Sequence, residues 1–369
     1  MNNEFDNYWM RIAFSIANKS MGRTNENPPV GCVIVSKENK LISVGNTKNG
    51  GRPHAEDVAI KNSKVDLNGS TIYVTLEPCL HYGKTSPCIK KIIKSGIKRI
   101  VYAIDDPDPR VNGKTFKFAK KNNVEIKKNV NKDYAKNFYS GFFNRIIRKR
   151  PFVISKISTS IEGFISSEER KKIWFSNYLS KLFVHDLRSR CDAILTGVDT
   201  INIDNSELNC RYPFNDGDTP LRIILDSNLK INLNSKIIKN SKFYNTIVYC
   251  KENLDSLKKN FLLDNNIKII EVPYNNKLCE KTILYDLGAR GINTLLIESG
   301  AKINSNFRKL NFIDKLIWIL TPMNLENGVN PFLKKISSSS DLSINLKNDF
   351  DLISEKYLDN DKILIWQKK

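Results

Sequence analysis

Pro53-His54-Ala55-Glu56, then Glu77-Pro78-Cys79, then Ser86-Pro87-Cys88: these three short stretches organise the chain. One imidazole and two thiols are donors that zinc prefers, and a catalytic zinc site keeps three protein ligands with a fourth position open to water. Such a metal lowers the pKa of that water, so that hydroxide is available near neutrality. Glu56 stands two residues from His54, where a carboxylate can move protons without ligating the metal. His54 and Cys88 each follow a proline, a residue common where helices begin. A structural zinc site calls for a fourth ligand. His81 is the nearest candidate, but a loop histidine serves as readily to touch a substrate.

His-x-Glu followed by Pro-Cys and a second cysteine is the pattern of zinc-dependent base deaminases, in which the glutamate is acid and base and not a ligand. His54-Ala55-Glu56 and Pro78-Cys79 match it. The second cysteine departs, because positions 80–87 separate Cys79 from Cys88, where the general pattern leaves about two residues. Hydrolytic deamination is therefore the expected chemistry. Glu56 would pass the water proton to a ring nitrogen and to the leaving amine.

Outward from the motif, the first half alternates strands and helices. Tyr8, Trp9, Ile12, Ala13, Ile16 and Ala17 have helical spacing within residues 5–20. Arg23 to Pro29 is a polar, proline-bearing loop. Val30 to Val35 reads as a buried strand, paired as a hairpin with Leu41 to Gly45. His54 opens a helix to about Lys61. Ser70 to Leu76 is a strand rich in β-branched residues, and Cys88 begins a helix that ends near Gly96. Arg99 to Ile104 is a strand, Phe116 to Asn122 a helix and Val124 to Ile126 a short strand. One helix from Lys132 to Ile147 closes an α/β layered domain over residues 1–147.

Arg148-Lys149-Arg150-Pro151 marks a boundary, and residues 151–369 read as a second α/β domain. Strands are predicted over 152–158, 191–196, 221–225, 246–250, 267–272, 294–297 and 315–320, with a turn at Ser160 to Gly163. Helices are predicted over 178–189, 253–261, 281–287 and 305–310. His185 lies in the first of these and reads as structural. No Gly-x-Gly-x-x-Gly occurs, so the doubly wound dinucleotide fingerprint is absent. The residues alone take this half no further than an α/β domain suited to a ligand.

Composition bounds the rest. The chain has 369 residues, more than one ordinary core needs and enough for two. With 40% hydrophobic and 27% charged residues it is globular rather than disordered. No run of about 18 apolar residues is present, so no membrane-spanning helix is expected. Met1 to Asp6 is acidic and lacks the apolar stretch of a secretory signal, so a cytoplasmic location is expected. Seven scattered cysteines argue against a disulfide framework. Cys32, Cys191 and Cys250 sit in or beside apolar runs and read as buried. The net charge of +20 invites a nucleic-acid reading. The lysines are spread along the whole chain beside abundant asparagine and isoleucine, as a codon bias produces. No alternation of basic and aromatic residues marks a single-strand platform. Neither nucleic acid nor membrane is an expected partner.

With these residues in view, the chain resembles the bifunctional riboflavin-biosynthesis deaminase–reductases. The likeness runs through Gly22-Arg23-Thr24, Asn27-Pro28, Val30-Gly31, His54-Ala55-Glu56, Thr75 to Cys79 and His81 to Cys88. It continues through Asp106-Pro107-Asp108-Pro109 and Val111-Asn112-Gly113. The long interval from Cys79 to Cys88 belongs to that family and separates the chain from tRNA adenosine and cytidine deaminases. The resemblance implies a cytidine-deaminase-like three-layer domain acting on a diaminopyrimidinone that carries a phosphoribosylamino group. It implies His54, Cys79 and Cys88 on Zn2+, Glu56 as the catalytic residue, and Asn27, His81 and Lys84 on the substrate, Lys84 toward the ribose phosphate. Glu26 and Asp108 depart from the family, which usually has proline and asparagine there.

Over the second half the likeness covers Pro151-Phe152-Val153, Lys156, Ser160, Gly163, Trp174, Val184-His185, Leu187-Arg188, Asp192 to Leu195 and Gly197. Thr200, Asp204, Leu208, Arg211, Asp226-Ser227, Ile297-Glu298 and Gly300 complete it. It implies a dihydrofolate-reductase-like domain that uses NADPH to reduce C1′ of the sugar, turning ribosyl into ribityl. Ser158, Trp174, Thr200, Asp204, Ser227 and the segment from Gly300 would contact NADPH. Arg188, Leu208, Arg211 and Glu298 would contact substrate, and guanidinium groups suit a phosphate. Lys156, polar in an apolar strand, is a candidate for the reduction or else a lysine whose head reaches water past a packed stem. Glu162, Lys172, Ser206 and Ser299 depart from the pattern. Two competing readings are a monofunctional deaminase with a degenerate reductase domain, and a basic RNA-binding or RNA-editing deaminase. A homo-oligomer is expected.

Overall fold

Residues 3–83, 85–169, 173–213, 218–254, 257–275, 278–332 and 338–369 are described by the computed structural model, which separates into two units between Arg150 and Pro151.

The first unit contains α1 (Asn3–Asn18), β1 (Gly31–Val35), β2 (Leu41–Asn46), α2 (Ala55–Asn62), β3 (Thr71–Val74) and α3 (Cys88–Lys94). Then follow β4 (Arg99–Tyr102), α4 (Lys114–Lys121), β5 (Glu125–Lys127), α5 (Lys132–Phe138) and α6 (Ser140–Arg148). The sheet order is β2-β1-β3-β4-β5. β1 is antiparallel to β2 and β3, and the remaining pairs are parallel. Parallel neighbours need a crossover, which α3 and α4 supply.

Two glycines set the layers. Gly31 pairs with Asn46 and Gly45 with Cys32, one step along the ladder, so the glycines face opposite sides of the sheet. A Cβ on Gly31 would fall on the Ala13 carbonyl of α1, and one on Gly45 on the Ala55 carbonyl of α2. Each helix backbone therefore rests on its strand where a side chain is missing, giving helix, sheet and helix. Gly31→Ala is expected to destabilise this unit by about 2–3 kcal/mol, because α1 must lift off the sheet. An unshifted urea midpoint would show that α1 is not seated at Gly31.

α1 is also anchored by charge. Asp6, fully buried, accepts two bonds from the Arg99 guanidinium at 2.8 and 2.9 Å, one from Tyr73 Oη at 2.8 Å and one from Lys127 Nζ at 2.6 Å. The single helix predicted over 132–147 is two helices. Tyr139 stands at the break with φ −93° and ψ 12°, its hydroxyl tied inside to Thr75 and to the Pro29 carbonyl.

The second unit contains β6 (Phe152–Thr159), α7 (Tyr178–Ser189), β7 (Ala193–Gly197), α8 (Val198–Asp204), β8 (Leu221–Leu225), α9 (Lys236–Lys239), β9 (Thr246–Lys251) and α10 (Leu257–Asp264). It continues with β10 (Ile267–Val272), α11 (Glu280–Ala289), β11 (Thr294–Ile297), α12 (Ala301–Lys309), β12 (Lys315–Leu320), α13 (Ser339–Leu346), β13 (Phe350–Leu358) and β14 (Asp361–Lys368). The sheet order is β10-β9-β8-β7-β11-β6-β12-β14-β13. The run from β10 to β12 is parallel, and the β13–β14 hairpin is antiparallel at one edge. Its strands are buried on both faces: Val153, Leu195, Leu295 and Ile297 enter one apolar cluster, and Phe152, Ile154, Ile194 and Leu296 the other. A parallel sheet covered twice in this way reads as apolar runs. Cys32, Cys191 and Cys250 are buried as expected. Among the described residues no helix is long and apolar enough to cross a membrane.

Candidate active sites

In the first unit β3 ends just before Glu77-Pro78-Cys79, α2 begins just after His54, and Cys88 is the first residue of α3. Two helix starts and a strand end thus bring His54, Cys79 and Cys88 together, with their ligand atoms all within 4.8 Å of one another. His54 Nδ1 lies 3.8 Å from Cys79 Sγ and 3.3 Å from Cys88 Sγ. Asp57 of α2 meets Lys91 of α3 at 2.9 Å, which fixes the two ligand-bearing helices to each other. The neighbouring Cys88 thiol and the His54 imidazole hold Cys79 below the ordinary thiol range against the opposing effect of burial. Two sulfurs and one nitrogen at this spacing fit zinc with a position left open.

Glu56 is buried on the first turn of α2. Burial, and then the Cys79 charge, raise its carboxyl above the ordinary carboxylate range. Asn27 is half-buried, with its side chain packed against Gly51 just before the His54 turn. His81 stands on the loop between the cysteines, and its Nδ1 is buried without a hydrogen-bond partner. Lys84 lies outside the described residues. The Asp108 carboxylate is taken by Arg110 through both oxygens.

Glu77 had no role in the sequence reading beyond its place in the motif. Its carboxylate is buried and accepts the backbone N–H groups of Asp106 and Gly113 at 3.1 and 2.9 Å and of Thr115 at 3.1 Å. Thr115 Oγ1 donates to the Pro78 carbonyl at 2.8 Å. The segment 106–115 is thereby pinned to the turn that presents Cys79. An acid ending an otherwise β-branched strand is the visible clue to such a clamp. Glu77→Gln turns an N–H against an N–H and is expected to cost about 2 kcal/mol. Urea unfolding with zinc analysis checks it; full stability in the variant would mean the clamp contributes nothing.

In the second unit the sheet brings Lys156 on β6, Arg188 on α7 and Glu298 just past β11 into one half-buried cluster. Arg188 Nε and Nη2 donate to the two Glu298 oxygens at 2.6 and 2.9 Å, and Lys156 Nζ lies 3.8 Å from Glu298 Oε2. Arg188 Nη1 donates to the Asn209 carbonyl at 2.9 Å. Burial opposes ionisation of Glu298, but Arg188 and Lys156 outweigh it and bring its carboxyl down to about 2. Burial, with Arg188 adding to it, lowers Lys156. Lys156 thus has its head beside an acid within the unit. His185 Nδ1 accepts the Arg211 backbone N–H at 3.1 Å, a structural bond. Leu208 is buried with a left-handed φ of 50°.

The carboxyl ends of parallel strands are where open α/β sheets hold ligands. Here Thr196 Oγ1 donates to the Glu298 carbonyl at 2.8 Å and Gly197 N to Ser299 Oγ at 3.1 Å, joining the ends of β7 and β11. Gly300 is the N-cap of α12 and offers no side-chain cap, and a Cβ there would meet nothing within 4 Å. An uncapped helix start under open space suits the diphosphate of a dinucleotide. Ser158 stands near the end of β6, Thr200 and Asp204 on α8, and Ser227 just after β8. Ser176 Oγ lies 3.5 Å from Ser158 Oγ. Trp174 is exposed, with Lys181 Nζ 4.8 Å above its ring. Lys172 lies outside the described residues.

Residues 3–104 match the family model of the cytidine and deoxycytidylate deaminase zinc-binding region, and residues 151–347 that of the RibD C-terminal domain. The solved structure of a Thermotoga maritima diaminohydroxyphosphoribosylaminopyrimidine deaminase/5-amino-6-(5-phosphoribosylamino)uracil reductase is 28% identical. Its TM-score is 0.86, with 100% of this chain and 99% of that one covered. For an Acinetobacter baumannii RibD structure the values are 29%, 0.85, 100% and 99%. The Aquifex aeolicus riboflavin biosynthesis protein RibD is 33% identical over 327 residues, 89% of this chain and 90% of that protein. Likeness sustained over nearly the whole of both chains, across two domains of different chemistry, means that this chain belongs to the RibD family of riboflavin biosynthesis proteins.

Proposed function

We propose that the chain carries out two successive steps toward riboflavin. The first is hydrolytic deamination of 2,5-diamino-6-(5-phosphoribosylamino)pyrimidin-4(3H)-one by residues 1–147. The second is reduction of the ribosyl group of 5-amino-6-(5-phosphoribosylamino)uracil to ribityl by residues 151–369. The observation that carries this reading is the zinc-fitting His54–Cys79–Cys88 triad with Glu56 buried beside it, on the same chain as a RibD C-terminal domain.

His54, Cys79 and Cys88 hold the metal, which when bound makes water acidic enough to serve as a nucleophile near neutrality. Glu56 moves the two protons of the water in turn, one to the ring nitrogen and one to the departing amine. Asn27 and His81 orient the pyrimidine, and Lys84 meets the phosphate. In the second unit, NADPH when bound supplies the hydride for C1′. Ser158, Trp174, Thr200, Asp204, Ser227 and Gly300 form its binding surface. Arg188, Leu208, Arg211 and Glu298 receive the substrate, with Lys156 as the proton donor to the opening sugar. The protein acts on small molecules rather than nucleic acid or membrane, in the cytoplasm, as a homo-oligomer.

Following ammonia and NADPH together after adding the diaminopyrimidinone tests the reading. Ammonia release followed by NADPH oxidation is expected. Ammonia without NADPH oxidation would leave a monofunctional deaminase. Deamination of RNA but not of the free pyrimidine would overturn both.

A further inference from the structure

We infer that Arg52 forms an anion subsite at the mouth of the deaminase centre and binds the phosphate of its substrate. This inference rests on the deaminase function proposed above. Arg52 stands two residues before His54, so its Cα lies within about 7 Å of that ligand's Cα. Its guanidinium crosses to the loop between the two cysteines. Nη1 donates to Thr85 Oγ1 at 3.0 Å. Nη2 lies 3.4 Å from the point a Cβ on Gly83 would occupy, and His81 Nε2 lies 3.9 Å from the same point. An arginine and a histidine thus converge on one exposed glycine.

Arg110 is neutralised by Asp108 and Lys91 by Asp57, and Lys90 is turned onto the Tyr82 ring and hydroxyl. No carboxylate among the described residues pairs with Arg52, whose hydrogen bond to Thr85 is to a neutral hydroxyl. A guanidinium carries five N–H donors in a planar fork, so most of them remain available beside the metal-ligand turn. That fork matches two oxygens of a phosphate, and it loses less hydration than an ammonium would. The substrate proposed for this site carries such a phosphate on its ribose, at the end remote from the amine that leaves. A brace for the loop needs no charge, since Thr85 offers only a hydroxyl at the surface.

The test compares ammonia release from the phosphorylated diaminopyrimidinone and from its dephosphorylated counterpart, in the full-length zinc-loaded protein. Arg52→Ala is expected to lower the kcat/KM preference for the phosphorylated compound about tenfold, and to weaken competitive inhibition by ribose 5-phosphate to the same degree. Arg52→Lys restores part of both, and Thr85→Val keeps the wild-type preference. Zinc content, measured in each variant, stays at one ion per chain. Equal losses on both substrates, a Thr85→Val variant that matches Arg52→Ala, or unaltered inhibition by ribose 5-phosphate would each overturn the subsite. If the unaltered protein releases no ammonia from the phosphorylated compound, the proposed function fails and the subsite with it; the wild-type control separates that case from the others.

Discussion

Glu56→Gln releases ammonia about 10³–10⁴-fold more slowly than the unaltered protein and binds zinc as before. The amide has the size and shape of the acid, so the buried first turn of α2 keeps its packing. The metal-fitting atoms belong to His54, Cys79 and Cys88, none of which is altered. What the amide cannot do is take a proton from water and give it back. The measurement pairs an ammonia assay with metal analysis of the purified variant. NADPH oxidation is followed separately, with the deaminated pyrimidine supplied directly. Ammonia release within tenfold of normal would remove Glu56 from proton transfer. Loss of zinc would assign its effect to the metal instead. Undiminished NADPH oxidation shows that the second unit is intact, which a general folding defect would not allow.

The part of the site that could be read in advance is local. His54, Glu56, Cys79 and Cys88 all sit at helix starts or strand ends, where proline and short spacing dictate the geometry. Their arrangement follows from α2, β3 and α3, all within one stretch of chain. Partners that meet only through sheet topology were not legible. Asp6 reads as part of an acidic start, yet it is fully buried against Arg99, which lies 93 residues away. Glu298 and Arg188 are separated by 110 residues and join because β11 lies beside β6 and β7 in the sheet. The task of Glu77 is equally hidden, because its three backbone donors, Asp106, Gly113 and Thr115, come from the loop before α4 and its first turn, reached through the parallel β3–β4 pairing. Arg52 fell just outside the motif. β13 escapes a reading of the sequence for a different reason. β13 lies at the sheet edge with Leu352, Ile353 and Tyr357 exposed, so it lacks the apolar alternation that marks a strand. The helix predicted in one piece over 132–147 breaks at Tyr139 because that ring is held by residues far away in the chain, which periodicity does not report.

Glu298→Gln is expected to destabilise the second unit by about 3–5 kcal/mol, because it leaves the half-buried Lys156 and Arg188 facing each other without their shared counter-charge. The side chains involved are only 10–17% exposed, so solvent replaces little of that charge. The cost should depend on the second cation. Lys156→Met in the Glu298→Gln background removes it and is expected to recover more than half of the stability lost, a coupling a double-mutant cycle measures directly. NADPH oxidation falls in Glu298→Gln, in Lys156→Met and in the double variant, while ammonia release, which belongs to the first unit, persists. Acid reaches the same state by another route. The Glu298 carboxyl is held down to about 2, whereas an unfolded glutamate titrates near 4.3. A group depressed on folding stabilises above its unfolded pKa and loses that contribution as pH falls through its folded pKa. The urea midpoint of the unaltered second unit should therefore drop between about pH 4 and pH 2, and the Glu298→Gln variant should show a shallower slope there. Equal slopes in the two proteins, or a double variant no more stable than Glu298→Gln alone, would mean that Glu298 does not act as the counter-charge for this cluster.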